Sequence, residues 1–418
     1  MATPNPSNAQ SFKPALVVLT SLFFMWGLIT SLNDILVPHL KTAFTLTYVR
    51  AMLIQFCFFG AYFVVSLPAG FLVERIGYRN GIIVGLLTAG LGCVGFYPAA
   101  LVKAYPLFLA ALFVLACGIT LLQVAANPYV SALGPPETSA SRLNLTQAFN
   151  SLGTTLGPLV GSAAILGLEG AEQGSQVETV RGPYLGLAAL LALIAFVFSR
   201  FQLPAVSGDA NAAADDPDAV RGSLWQQRHL ILGTVGIFVY VGAEVSIGSF
   251  LVGYMAEPGI AGLSERAAGS YLAFYWGGAM VGRFIGSALL QKQQPGRVLA
   301  FNAACAAGLL LVAMGTSGLF AMWSVLAIGL FNSIMFPTIF TLAIARLGKH
   351  TGEASGVLCM AIVGGAIVPL VMGFFADRIG VHRAYFVPAL CYAYIVYYGL
   401  KGSEVVQLTT GDDVRAVR

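Results

Sequence analysis

An ionisable side chain inside an apolar run is costly, and by default it marks a place where something is bound or moved. Few residues of this chain qualify. Asp34 lies in Ser31-Leu-Asn-Asp-Ile-Leu-Val-Pro38, and Glu244 in Tyr240-Val-Gly-Ala-Glu-Val-Ser-Ile-Gly-Ser249. Arg283 sits in a third apolar run. Burial disfavours a carboxylate and contact with water favours it, so Asp34 could take up and release a proton if its exposure alternates. The competing role for Asp34 is a static hydrogen-bonded tie between helices. Glu244 follows Tyr240 by one helical turn, on the same face. It could bind hydroxyl groups, share in coupling, or serve structure alone. Arg283 reads as an interhelix or snorkelling anchor, with a substrate ligand as the alternative.

Uncharged polar residues are the richer signal. Asn144, Gln147 and Ser151 recur at i, i+3 and i+7, with Asn150 adjacent to that stripe, and Gln123 and Asn127 are one turn apart ahead of Pro128. Asn33, Gln55 and Asn332 lie in further apolar runs. Amides donate and accept without charge, which suits a neutral polyhydroxylated ligand. Trp26, Phe149, Tyr275, Trp276 and Phe336 offer faces for the apolar side of a sugar ring. Helix–helix hydrogen bonding is the alternative use of the amides; packing or lipid contact is that of the aromatics.

The elements that must carry these residues follow from composition. The 418 residues are 57% hydrophobic and only 10% charged, with 48 glycines. Mean hydropathy is +0.81. A soluble domain carries about 25% charged residues, so this composition requires an all-α membrane protein. The net charge of +4 and the lack of a Lys/Arg-rich run argue against a nucleic-acid partner. The six cysteines are scattered singly, with no metal-ligand or disulfide spacing. No cofactor, metal site or enzymatic motif is indicated, and the polar N-terminus lacks the pattern of a secretory signal.

With about 20 apolar residues per crossing, twelve spans fall near 15–40, 52–73, 81–101, 105–130, 142–167, 183–203, 229–256, 266–290, 297–316, 319–345, 354–376 and 384–402. The domain reading is a terminal segment 1–14, a six-helix half 15–203, a polar linker 204–228, a second half 229–402 and a tail 403–418. With both termini inside, 15 Lys/Arg fall on the cytoplasmic side and seven outside, as the positive-inside rule favours. Gly70-Phe-Leu-Val-Glu74-Arg75-Ile-Gly77 after span two is echoed by Gly373-Phe-Phe-Ala-Asp377-Arg378-Ile-Gly380 after span eleven. The two copies face opposite sides of the membrane, which is what nested inverted three-helix repeats predict. Pro128 and Pro337 interrupt spans four and ten, where they permit kinks.

The segment Gly70-x-x-x-Glu74-Arg75-x-Gly77-x-Arg79 resembles the loop 2–3 signature of the major facilitator superfamily. Leu32-Asn-Asp-Ile-Leu36, Ala125-Ala-Asn-Pro-Tyr129, Arg142-Leu-Asn-Leu-Thr-Gln-Ala-Phe-Asn-Ser151, Tyr240-Val-Gly-Ala243, Gly282-Arg-Phe284 and Phe336-Pro-Thr-Ile-Phe340 carry a closer resemblance. They are similar to the fucose–galactose–glucose:H⁺ symporter family, and within it to the glucose/galactose branch, which has relatives for N-acetylglucosamine. The resemblance implies a monomeric, multi-pass transporter of the bacterial inner membrane that moves a neutral hexose or amino sugar together with H⁺, or Na⁺, by alternating access. It implies Asp34 as the coupling group, with Glu244 a second candidate. Asn33, Gln123, Asn127, Gln147, Asn150, Trp26, Tyr275, Trp276, Asn332 and Phe336 are the candidate sugar ligands, and Gly70, Glu74, Arg75, Gly77 and Arg79 a conformational latch. Fucose permeases carry a glutamate where this chain has Gln123, and an amide at Glu244, which weakens fucose as the substrate. The same helices could instead build an efflux transporter, or a sugar sensor that does not transport.

Overall fold

In a computed structural model of the chain, residues 6–43, 48–161, 181–200, 204, 206 and 223–405 are described, without the side chains of 6–11, 32–43, 48–52, 55, 158–161, 181 and 265. Every regular element among them is helical. Nine units are single helices: α1 (Pro6–Ala43), α2 (Tyr48–Ile76), α3 (Tyr78–Val102), α4 (Tyr105–Ala132), α5 (Ser139–Gly161), α6 (Arg181–Arg200), α7 (Arg228–Ala256), α8 (Glu265–Leu289) and α9 (Pro295–Gly315). Three are broken. Span ten is α10 (Gly318–Asn332) plus α11 (Met335–Ala343), span eleven α12 (Thr351–Met360) plus α13 (Gly364–Ile379), and span twelve α14 (Val381–Ala384) plus α15 (Phe386–Tyr397). The chain is therefore an all-α membrane protein of twelve span-length units.

The first helix begins at Pro6, ahead of the expected boundary near 15, because an apolar helix once formed extends cheaply into polar sequence. Residues 162–167 of the expected fifth span and most of the linker lie outside the described residues. Nine of the described stretches are long and apolar enough to cross a membrane by themselves; α5, α8 and the last span fall short. In α5 the deficit comes from Asn144, Gln147, Asn150 and their neighbours. Outer faces are apolar: Phe56, Leu91, Phe301, Phe320, Leu370 and Leu390 lie 64–70% exposed, a distribution suited to lipid.

The two halves are built alike. In the first, α1 packs on α5, α2 on α4, and α3 on α4 and α6. In the second, α7 packs on α13, α8 on α10, and α9 on α10 and α15. The repeated segments also end alike. Gly77 (φ 81°, ψ 160°) and Gly380 (φ 84°, ψ 154°) both hold a left-handed-side conformation that a side chain disfavours. Their N–H groups bond back to Val73 and Ala376 carbonyls at 2.8 and 2.9 Å.

The prolines act more specifically than the expected kinks suggest. A proline has no N–H for the carbonyl four residues earlier. Pro128 thus frees Val124 while α4 stays continuous, and Pro337 frees Ser333, where span ten breaks between α10 and α11.

Candidate functional site

The halves meet through α2 and α12, α5 and α8, α4 and α12, and α5 and α11. Their contacts gather at the end of the bundle where α2 and α4 finish and α5 and α12 begin. There Ser141 Oγ donates to the Ser287 carbonyl (2.7 Å), and Ser287 Oγ donates to that of Ser141 (3.0 Å). Ser355 Oγ donates to the Val124 carbonyl at 2.8 Å, taking up the acceptor Pro128 left free. Further along α5, Asn144 Nδ2 reaches Thr338 Oγ1 (3.3 Å), Phe149 meets Phe284 edge to face, and Arg283 donates to Ser151 Oγ.

The polar stripe of α5 is therefore real, and the fold divides it. Asn144 and Ser151 bond to the opposite half, whereas Gln147 Nε2 lies 3.5 Å from Asn127 Oδ1 in its own half. Asn150, about 100° round the helix from Ser151, points elsewhere: its Nδ2 donates to the Phe23 carbonyl of α1 at 2.9 Å. Gln123 is buried and accepts from Tyr62 Oη at 2.8 Å. Asn127 Nδ2 and Asn144 Oδ1 are buried without a partner among the described residues, a situation that calls for a ligand or water.

In the second half Asn332 is a hub. Its Nδ2 donates to Tyr275 Oη (2.8 Å), its Oδ1 accepts from Tyr392 Oη (2.7 Å), and its carbonyl accepts from Tyr240 Oη (3.2 Å). Tyr240 also donates to Glu244 at 2.8 Å, so the one-turn spacing read from sequence is a direct bond. Trp276, Met280, Arg283 and Ser287 form one face of α8. The last three touch α5 at Thr155, Ser151 and Ser141, while Trp276 is 44% exposed just beyond the contact. Phe336 is buried and stacked on Phe340.

Trp26 is buried against Phe23 in an apolar pocket with Leu86, Ile119 and Leu191, inside its own half. Asn33, Asp34 and Gln55 stand on α1 and α2, and their side chains lie outside the described residues.

The loop 2–3 segment divides as well. Gly70 packs on the backbone of Gly352, Glu353 and Gly356 in α12. Glu74 lies within electrostatic reach of Lys349, His350 and Glu353. Gly77 provides the helix stop, and Arg75 is exposed. Arg79 instead caps α6 of its own half, donating to the carbonyls of Phe198 (3.3 Å) and Ser199 (2.5 Å). Tyr62, Thr338, Tyr392 and Ser355 were not legible as partners in the sequence, since a lone hydroxyl carries no periodic signature.

Across residues 18–369 the sequence matches the family described as Major Facilitator Superfamily. The chain belongs to it. This facilitator is a multi-pass membrane transporter rather than an enzyme. It is 59% identical to the glucose/galactose transporter of Brucella abortus, over 95% of this chain and 96% of that protein. It is 36% identical to the L-fucose-proton symporter of Escherichia coli, over 93% of each. Among solved structures, the facilitator FucP in the outward conformation superposes with a TM-score of 0.86 at 35% identity, over 94% of this chain and 100% of that one. The facilitator fold also accounts for the end-wise closure of the halves, because alternating access requires one end to be shut while the other is open.

Proposed function

We propose that this facilitator imports glucose or galactose together with a proton across the bacterial inner membrane, with both termini cytoplasmic and the bundle working as a monomer. The observation that carries the substrate is the 59% identity, nearly end to end, with a glucose/galactose transporter. The proton rests on the likeness to a protein described as an L-fucose-proton symporter. The site agrees in chemistry. Amides and hydroxyls gather where the halves meet, and Asn127 and Asn144 each keep a buried amide atom with no partner among the described residues, free for a hydroxyl or water. An N-acetylated sugar has no comparable support, and neither does Na⁺. A drug-efflux reading fits poorly with an amide-lined interface.

In this reading Gln123, Asn127 and Gln147 bind sugar from one half, and Trp276 covers it from the other. Asn150, Asn332 and Tyr275 hold the helices that present these groups. Asp34 is the coupling group on α1, with Glu244 a second titrating site. Gly70 and Glu74 close the end of the bundle that the positive-inside count places in the cytoplasm. Purified protein in liposomes, supplied with labelled glucose, galactose, fucose and N-acetylglucosamine under separate pH and Na⁺ gradients, tests it. Accumulation of the two hexoses driven by the pH gradient is expected. Accumulation of neither under either gradient sinks the reading. Asp34→Asn should retain hexose exchange and lose accumulation, and continued accumulation would remove Asp34 from the coupling role.

A further inference from the structure

A cavity of about 350 Å³ opens between α8 and α9, on the outside of the second half, with α10 as its floor. Its size lies at the lower end of the range for small-molecule sites. Helix packing accounts for it. α8 and α9 each pack on α10 but scarcely on one another. A Cβ at Gly282 would stand 2.3 Å from the Leu330 carbonyl oxygen, and one at Gly286 2.1 Å from Ile334 Cγ2. These two glycines let α8 lie tight against α10, and the space left over falls between α8 and α9. The walls are sorted by polarity. Ile285, Phe301, Leu330 and Phe331 make the deep part, and Ile285 and Phe301 are more than half exposed. Gln293, in the turn after α8, and Arg297, in the first turn of α9, make the shallow end. Phe301 stands one helical turn, about 6 Å, deeper than Arg297 on the same face of α9. Arg297 is exposed, and its side chain has neither a hydrogen bond nor an ion pair among the described residues. Exposed Lys292 adds a second cation in the same turn as Gln293. No Asp or Glu occurs between Glu265 and Glu353, so α9 and α10 carry no acid, and α8 carries one only at its far end.

We propose that this cavity binds an anionic phospholipid of the cytoplasmic leaflet, with the phosphate on Arg297 and one acyl chain between Ile285 and Phe301. A slot that is apolar at depth and cationic at the helix ends matches a molecule whose parts come in the same order. Basic pockets between spans on the cytoplasmic side suit anionic headgroups for this reason. The guanidinium of Arg297 presents a planar fork that can meet two phosphate oxygens at once. Its place in the first turn of α9 adds the positive end of the helix dipole. Gln293 offers an amide to the glycerol or headgroup hydroxyls. Charge then selects the lipid class. A zwitterionic headgroup would bring an ammonium with no carboxylate on α9 or α10 to receive it, whereas an anionic one leaves no charge unpaired. A free phosphate ion would leave the apolar depth unfilled. The cavity lies apart from the amides where the halves meet, so lipid binding is independent of which hexose is carried. From the proposed function it takes only the assignment of this end of the bundle to the cytoplasm.

Photocrosslinking tests it. Full-length protein is reconstituted into vesicles of phosphatidylglycerol and phosphatidylethanolamine in equal parts. A trace of either lipid carries a diazirine on its acyl chain, and the crosslinked residues are mapped by peptide mass spectrometry. Crosslinks should concentrate on Ile285, Phe301, Leu330 and Phe331. The phosphatidylglycerol probe should label them about fivefold or more above the phosphatidylethanolamine probe, the factor one cation near an anionic surface supplies. Arg297→Gln should lower phosphatidylglycerol labelling by about the same factor. Ile285→Trp fills the slot without touching the charge and should lower it too. Lys401→Gln, which removes an exposed cation at the end of the last span, should leave it unchanged. Both cavity variants alter exposed side chains and should keep the wild-type melting temperature; if one does not fold, the two probes on wild-type protein decide. Labelling spread evenly over the outer faces, Leu91 and Leu370 included, overturns the site. So do equal yields from the two probes, or a yield that either folded cavity variant leaves unmoved. Suppression of labelling by inorganic phosphate alone would give the cations to a soluble anion and overturn the lipid. No sugar enters these readouts, so a protein that moves no hexose would defeat the proposed substrate and leave the lipid site to be decided by the crosslinks.

Discussion

Ser355 Oγ donates to the carbonyl of Val124 at 2.8 Å, joining α12 of one half to α4 of the other. That carbonyl is available because Pro128, four residues on, has no N–H to offer it. A proline readable in the sequence as a kink is, in the folded protein, what supplies an acceptor to the contact between the halves. Pro337 and Ser333 repeat the arrangement in the second half, with Arg283 as the donor.

Removing the Ser355 hydroxyl should loosen closure of this end. A neutral hydrogen bond contributes about 1 kcal/mol net, so Ser355→Ala should move the closed-to-open ratio roughly fivefold toward open. Pro128→Ala should act in the same direction, since the new N–H competes for Val124. Distances between labels at Glu137 and Lys292 measure both. An unchanged distribution in Ser355→Ala would show that the bond contributes nothing to closure.

At Gly356 the constraint is steric. A Cβ there would stand 2.6 Å from the Ser66 carbonyl oxygen and 3.2 Å from Gly70 Cα, both on α2. Gly356→Ala is expected to fold, since each half keeps its own packing, but to be unable to shut. Hexose uptake should fall by at least tenfold while binding from the open side persists. Uptake at the wild-type rate would mean that this approach is not needed for the cycle.

The adjacent amides Gln147 and Asn150 should separate cleanly by their readouts. Gln147→Ala removes a group beside Asn127, whose Nδ2 has no partner among the described residues, and should raise the KM for hexose roughly 5- to 100-fold, as expected for losing one or two hydrogen bonds to a buried ligand. Asn150→Ala cuts the tie to the Phe23 carbonyl; it should lower the thermal midpoint and leave KM within about threefold, since the bond lost is between helices. A KM effect confined to Asn150 would reverse these roles.

Asn332 should matter for stability more than any other amide in the chain. Its replacement by alanine strands the hydroxyls of Tyr275 and Tyr392, at about 1–3 kcal/mol each. Tyr392→Phe deletes a single donor and should cost about 1 kcal/mol. Thermal unfolding in detergent, followed with a thiol-reactive dye at the buried cysteines Cys359 and Cys391, gives the ranking. Equal melting temperatures for Asn332→Ala and Tyr392→Phe would remove the hub assignment.

Composition and run length alone determined a twelve-span membrane protein, because so few charges cannot clothe a soluble surface of this length. The repeat from Gly70 to Gly77 and from Gly373 to Gly380 was equally legible, since its terminal glycines meet a local backbone requirement. The polar stripe on α5 could be read from its spacing, as a helix fixes which residues share a face. What a helix does not fix is what that face meets. Whether an amide turns to sugar, to its own half or across the boundary depends on the azimuth and depth of its neighbours. Tertiary packing alone therefore sent Asn150 to α1, buried Trp26 among apolar residues, made Asn332 a hub and set Arg283 between Ser151 and Ser333. These are long-range contacts between side chains with no fixed sequence separation. They exist only once helices distant in the chain have been packed side by side.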